Sequence, residues 1–330
     1  MNWKGVSVAV TGGGGFIGSH LVEELARQGA KVRALVHYNH RNHWGHLEDL
    51  APALRKRVEV RAGDVQDPHY MIDFTRGQEV VFHLAALIPI PYSYVAPSSF
   101  VATNVQGTLN VLQACRASGA RRIIHTSTSE VYGTALYTPI DEKHPLQAQS
   151  PYSASKIGAD AIADSFHRSF GLPVSIARPF NTYGPRQSAR AVLPSAIIQL
   201  AAGRAKVRLG DLTPVRDFNY VADTVDGFLA IAASKRAIGE TINLGTGRGV
   251  TVGAAVALLQ KTMGTNVPVV RDGARLRPKK SEVFKLICDA RKARRLTGWR
   301  PRRRLEEGLA EAAAYIRERL SDYKPDAYNV

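Results

Sequence analysis

Short apolar runs and stretches of helical spacing take turns along most of the chain. Val6, Val8 and Val10 alternate with small residues, the pattern of a short strand. From Ser19 to Gln28, Leu21, Val22 and Leu25 fall on one face of a helix, and Gly29 stands where its C-terminal cap belongs. A second apolar strand runs from Lys31 to Val36. Val58 to Arg61 and Val80 to Leu84 continue the strands. Residues 97–118 carry Val101, Val105, Leu109, Leu112 and Cys115 at helical spacing. Arg122 to Thr126 follows as a strand, 151–170 as a long helix, and Val174 to Arg178 as a strand. This alternation predicts a parallel sheet covered on both faces. After Pro179 the rhythm loosens. Loops rich in proline, glycine and arginine separate short elements at 192–203, 222–233, 251–263 and 305–320. There is no internal repeat, and the tail from Asp322 to Val330 is expected to be loosely held.

The first strand and helix enclose Thr11-Gly12-Gly13-Gly14-Gly15-Phe16-Ile17-Gly18. Free backbone N–H groups and the positive end of a helix dipole at such a turn favour an anion. Gly12 suits the tight turn, Gly15 the close approach of a phosphate, and Gly18 the packing of helix on strand. The strand–turn–helix–strand context identifies a dinucleotide pyrophosphate site. The predicted fold is therefore α/β, a Rossmann-type doubly wound parallel sheet with a smaller C-terminal substrate-binding lobe. Residues 1–180 form the NAD(P)-binding domain, with some later segments returning to it, and residues 181–330 form mainly the second lobe. The spacing G-x-x-G-x-x-G resembles the extended short-chain dehydrogenase/reductase superfamily.

Composition adds exclusions. The chain has 330 residues and two cysteines, Cys115 and Cys288, far apart, which argues against a disulfide scaffold and a cysteine metal site; no metal is expected. No basic start with an apolar run and no run of eighteen apolar residues occurs, so no membrane span and a cytoplasmic location are expected. The net charge of +16 is partly local, in RKARRLTGWRPRRR at 291–304. No zinc-finger, helix-turn-helix or aromatic stacking pattern accompanies it, which favours a solvated basic surface over nucleic-acid binding.

Tyr152 and Lys156, at i and i+4 of the long helix, share one face. An ammonium there stabilises a phenolate, lowers the tyrosine pKa and reaches a ribose hydroxyl; the phenolate then takes a proton from a substrate hydroxyl. In the superfamily the Thr128 position carries a hydroxyl for the substrate's reacting oxygen, and an acid at Glu130 can remove the C5 proton of a 4-keto sugar. The pattern also places Asp64, Val65, Leu84, Ala85, Ala86 and Asn104 with Gly12, Gly15, Phe16, Ile17, Gly18, Tyr152 and Lys156 around the cofactor. The second strand ends at Val36, with His37 next and Arg41 nearby, where NAD enzymes usually carry an acid. That leaves NADP open beside NAD. Asn181, Arg190, Arg216 and Arg277 are the candidate ligands of a nucleotide-sugar, arginine forks suiting a pyrophosphate diester.

The runs VRALVHYNHRNHWGHLEDL, AALIPIPYSYVAP, TSTSEVYGTA, DEKHPLQAQSPYSASKIGAD, RPFNTYGPRQSARAV, TPVRDFNYV, RPKKSEV and YKPDAYNV resemble the nucleotide-sugar 4,6-dehydratases of the LegB type over nearly the whole chain. The resemblance implies action on UDP- or GDP-N-acetylglucosamine, in surface-polysaccharide biosynthesis. The implied steps are oxidation at C4, loss of water across C5 and C6, and return of hydride to C6. Glucose dehydratases of the family carry Asp-Glu where this chain has Ser129-Glu130. Glu130 then acts at both C5 and C6, or Ser129 or a water assists. A UDP-sugar 4-epimerase or a UDP-glucuronate decarboxylase fits the same scaffold, and a non-catalytic dinucleotide-binding regulator is the remote alternative. The resemblance also implies a homodimer, through the helices at 97–118 and 151–170.

Overall fold

Seven apolar strands lie side by side, all parallel: β1 (Ser7–Thr11), β2 (Lys31–His37), β3 (Val58–Gly63), β4 (Val80–His83), β5 (Arg122–Thr126), β6 (Val174–Pro179) and β7 (Thr241–Leu244). This computed structural model describes residues 1–327. The strand order is β7-β6-β5-β4-β1-β2-β3. The order reverses between β1 and β4, paired in register from Val8 with Val80 to Thr11 with His83. A crevice must open where connections leave in opposite directions, at the carboxyl ends of these two strands.

The period of two along β1 sorts its side chains. Val8 and Val10 face a core that includes Leu21 and Leu25 of α1 (Phe16–Arg27). Ala9 faces the opposite core with Val81 and Ile123. Helices α2 (Pro68–Thr75), α3 (Gly107–Ser118) and α4 (Pro151–Phe170) cover that second face, contributing Phe74, Leu112 and Phe166. Helix α5 (Val192–Ala201) lies in the second lobe, whereas α6 (Val221–Ala233) packs Phe228 and Ile231 on the α1 side of the sheet, beside Ile242 and Leu244 of β7. A separate core joins Leu193 and Ile197 of α5 to Val256 of α7 (Val252–Met263) and to Leu309 and Ile316 of α8 (Leu305–Glu318).

The predicted helix at 97–118 is helical throughout but not uniform. Pro97–Phe100 is α-helical, Val101–Gln106 is a wider π-turn, and α3 follows. Such turns collect at functional sites, because the widened backbone re-aims a side chain; here it carries Asn104. Helix α4 has a defined start. The Ser150 hydroxyl accepts the Ser153 N–H and the Ser153 hydroxyl accepts the Ser150 N–H, both at 3.1 Å, with Pro151 at the first position. This cap sets the register of Tyr152 and Lys156. The tail is docked as far as Ala327, with Asp326 paired to Arg204 at 2.5 Å. Residues 328–330, the end of the expected loose segment, lie outside the described residues. Among the described residues no helix is long and apolar enough to cross a membrane.

Leu21, fully buried between α1 and β1, tests this packing. Leu21→Ala is expected to cost about 2–5 kcal/mol, read as a lowered urea midpoint at unchanged slope.

Candidate active site

A cleft of about 790 Å³ opens at the carboxyl ends of β1, β4 and β5. Its floor is the glycine turn. Gly12 has φ +69°, a left-handed conformation, and a Cβ there would lie 2.8 Å from the Ala85 nitrogen. A Cβ on Gly18 would collide with the Gly12 carbonyl oxygen. One on Gly15 would meet only that same oxygen, at 3.3 Å, and otherwise open space. No side chain caps α1 and its first turn holds no acid, so its N-terminal N–H groups and dipole are offered to the cleft. These residues fit a pyrophosphate.

The far end of the cleft is lined by Leu35, Val36, His37, Asn39, His43, Trp44 and Gly45. No acid stands among them. Asn39 closes this loop on itself, accepting the His43 N–H at 3.0 Å and donating to the His43 carbonyl at 2.8 Å. The His46 N–H donates to the Gly14 carbonyl at 3.0 Å and ties the loop to the turn. Sequence reading assigned none of these loop residues a role. The unusual density of His, Asn and Trp in HYNHRNHWGH was the available signal.

Of the residues expected around the cofactor, Gly12, Gly15, Phe16, Ile17, Gly18, Leu84, Ala85, Ala86, Tyr152 and Lys156 line the cleft. Asp64, Val65 and Asn104 do not. Asp64 follows β3 and accepts the Gln66 N–H at 2.9 Å, a local turn bond. Val65 is buried against Gly107. Asn104 is 1% exposed and its amide is fully engaged: it accepts the Leu87 N–H at 2.8 Å and donates to the Leu87 carbonyl and the Ser155 hydroxyl, each at 2.9 Å. It braces the wall after Ala86 against α4 and does not face the cleft.

Thr128, Ser129, Glu130, Tyr152 and Lys156 converge on the same wall. Thr128 caps the 3-10 turn Ser129–Tyr132, its hydroxyl accepting the Glu130 N–H at 3.2 Å. The Glu130 carboxylate is nearly buried and takes no side-chain hydrogen bond or ion pair among the described residues. The expected lowering of the Tyr152 pKa by Lys156 is not seen here. Burial pushes the phenol up from its ordinary value, and only a hydrogen bond with Thr128 opposes this. The Lys156 ammonium instead donates to the Thr126 carbonyl at 2.7 Å. Burial lowers Lys156 to about 8, with the Asp160 charge acting the other way.

Across the cleft stand Asn181, Gln187, Arg190 and Arg277. The Asn181 and Gln187 side-chain oxygens and one Arg277 nitrogen are buried without a hydrogen-bond partner. Buried polar atoms of this kind belong to sites that take polar ligands. The Gln187 amide nitrogen donates to the Thr182 carbonyl at 3.0 Å, which leaves its buried oxygen as a free acceptor. Arg216 lies behind the wall rather than on it, and shares Glu282 with Arg277: 3.3 Å from one guanidinium and 3.7 Å from the other. Sequence reading missed Gln187, and also the apolar rim Ile88–Pro91, which it had used only as a resemblance.

A model of the GDP-mannose 4,6 dehydratase family matches residues 9–312. A dTDP-glucose 4,6-dehydratase from Actinoplanes sp. is 32% identical over 324 residues, covering 96% of this chain and 99% of that protein. A putative UDP-glucose 4-epimerase from Methanocaldococcus jannaschii is 30% identical over 316 residues, covering 94% and 98%. Among solved structures, a dTDP-glucose 4,6-dehydratase from Streptomyces venezuelae with NAD bound superposes with a TM-score of 0.85 at 32% identity, covering 96% of this chain and 99% of that one. A UDP-glucuronic acid 4-epimerase from Bacillus cereus, in complex with UDP-glucuronic acid and NAD, gives 0.85 at 27% identity, covering 94% and 99%.

Gly18→Ala forces the helix off the turn. It is expected to weaken NAD binding about tenfold or more by calorimetric titration; a parental dissociation constant would place the dinucleotide elsewhere.

Proposed function

We propose, from the premise that the chain belongs to the GDP-mannose 4,6-dehydratase family, that it converts UDP- or GDP-N-acetylglucosamine to the 4-keto-6-deoxy sugar. It is an NAD-dependent enzyme of the extended short-chain dehydrogenase/reductase superfamily, among nucleotide-sugar dehydratases and epimerases. In this reading residues 1–180, with α6 and β7, hold the dinucleotide, and the lobe formed mainly by 181–330 holds the nucleotide-sugar. The turn from Gly12 to Gly18 and the start of α1 take the pyrophosphate, and Leu84, Ala85 and Ala86 form the wall along it. Asp64 and Val65 border the adenine end, and Asn104 braces that wall from behind. Bound NAD supplies a hydride acceptor and returns the same hydride, so no outside redox partner is needed.

The chain's own groups do the acid–base work. Tyr152 removes the proton of the sugar 4-hydroxyl, and Thr128 hydrogen-bonds the same oxygen. Lys156, charged below about 8, supplies the positive potential that offsets burial of a phenolate. A ketone at C4 acidifies the C5 hydrogen. Glu130 takes that proton and delivers one to the hydroxyl leaving C6, alone or with help from Ser129. Asn181, Arg190 and Arg277 bind sugar and phosphate oxygens, with Arg216 and Glu282 behind them. The observation that carries this reading is the nearly buried Glu130 carboxylate on the cleft wall with Thr128 and Tyr152, which takes no side-chain hydrogen bond or ion pair among the described residues while its charge reaches Arg216. Epimerisation at C4 alone requires no such carboxylate. Val101 and Phe170, exposed on the helical faces at 97–118 and 151–170, support a homodimer through those helices.

Incubation with UDP-N-acetylglucosamine, GDP-N-acetylglucosamine and dTDP-glucose, read by mass spectrometry, is expected to show loss of one water from an acetamido sugar. An altered sugar of unchanged mass would make the enzyme an epimerase. Glu130→Gln is expected to keep NAD affinity and lower dehydration by about 10²–10⁴-fold; dehydration at the parental rate would remove Glu130 from the mechanism.

A further inference from the structure

Beneath the active site lies a buried polar layer that the proposed chemistry does not use. On α4, Tyr152, Lys156 and Asp160 occupy successive turns of one face, and all three are at least nine-tenths buried. The Asp160 carboxylate is saturated. One oxygen accepts from the Ser127 hydroxyl at 2.7 Å and from two nitrogens of Arg178 at 2.9 and 3.1 Å. The other meets His125 Nε2 at 3.2 Å. Three strands are thereby tied to the helix: β5 through His125 and the residue after it, Ser127; β6 through Arg178; and β4 through His83, whose ring stands 5.5 Å from that of His125.

We propose that Asp160 is a positioning residue for the proton transfer: it holds the Lys156 ammonium in its charged form and locks the strand end that carries Thr126 and Thr128. The inference rests on the role given above to Lys156. The charges around that ammonium are few. Asp160 acts on it from its own helix, His83 from β4 and His125 from β5; Tyr152 and Glu130 line the same cleft wall, and Arg178 of β6 reaches the layer through Asp160. Burial holds both histidines below their ordinary values, so neither carries charge near neutral pH. Arg178 pairs with Asp160 at 2.9 Å, and Lys156, one turn earlier on α4, feels the same charge without an ion pair. An ammonium sealed from water loses its proton readily unless an opposite charge lies close. Asp160 is that charge; its own field adds to burial in holding the Tyr152 phenol up, so its service to a phenolate is indirect, through the Lys156 ammonium it keeps charged. Ser127 extends the effect to position. It sits between Thr126, which receives the Lys156 proton donor, and Thr128, which meets Tyr152, so the Ser127–Asp160 bond fixes both partners against α4.

The test reads Lys156 directly. Protein labelled with carbon-13 at the lysine ε position is titrated by NMR, with the Lys156 resonance assigned by its loss in Lys156→Met. In the parent, Lys156 is expected to titrate near 8. In Asp160→Asn the midpoint is expected to fall by about one unit or more, and in Asp160→Glu to stay with the parent. The high-pH limb of the rate profile should move in the same direction in Asp160→Asn. If Asp160→Asn does not fold, the change is made in an Arg178→Met background, which leaves neither charge alone; the Lys156 midpoint of the double variant is then expected to lie below that of Arg178→Met. A midpoint that Asp160→Asn leaves unmoved, against the parent or against Arg178→Met, overturns the proposal and leaves Asp160 a structural ion pair. The titration does not depend on turnover. A displaced midpoint in an enzyme that dehydrates no nucleotide-sugar would therefore sustain the role of Asp160 and sink the dehydratase reading.

Discussion

The contact between Gly18 and the Gly12 carbonyl sets the terms for the rest of the molecule. Any side chain at Gly18 would push α1 away from the end of β1, and with it the uncapped N-terminus that faces the cleft. Because α1 lies directly on the turn, its dipole and N–H groups are aimed at the switch point between β1 and β4. Thr128, Glu130, Tyr152 and Lys156 line the cleft that opens at that point. The loop from Asn39 to His46 folds over the turn, and the small residues Ala85 and Ala86 keep the opposite side open.

Burial governs the reactive groups more than pairwise charge does. Tyr152 and Lys156 are both moved toward their neutral forms by loss of water. A site of this kind is poised rather than active: charge can develop on the phenol only when a cation is held close. The polar layer of His83, His125, Asp160 and Arg178 is the means by which the fold keeps a cation charged in a dry place. It is fully bonded apart from His125 Nδ1, so it is also rigid.

The opposite wall is organised differently. Its arginines are not locked by a saturated carboxylate; Arg216 and Arg277 divide Glu282 at distances of 3.3 and 3.7 Å. Buried oxygens of Asn181 and Gln187 have no protein partner. One side of the cleft is thus held by a hydrogen-bonded layer, whereas on the other several buried polar atoms have no hydrogen-bond partner among the described residues.

Local pattern alone was sufficient for the strands up to β6, the glycine turn, helices α1 and α4, and the pairing of Tyr152 with Lys156. Each is encoded within a few residues: a period of two, a period of 3.6, a missing Cβ, a spacing of four. Thr128 and Glu130, read as lying just past a strand end, do line the cleft. What the tertiary structure decided depends on contacts between residues far apart in the chain. Asn104 was read as facing the cofactor, yet its amide is consumed by Leu87 and Ser155. Arg216 was read as a ligand-facing fork, yet Glu282 holds it behind Arg277. Lys156 was read as lowering the Tyr152 pKa, yet burial against Ile90 and Phe100 pushes that phenol up. Asp160 carried no signal at all, since an acid one turn past a lysine reads as a surface pair until Arg178, Ser127 and His125 close around it. A side chain's type and spacing are written locally, but its solvation is a property of the packed whole, and solvation decides what a buried charge can do.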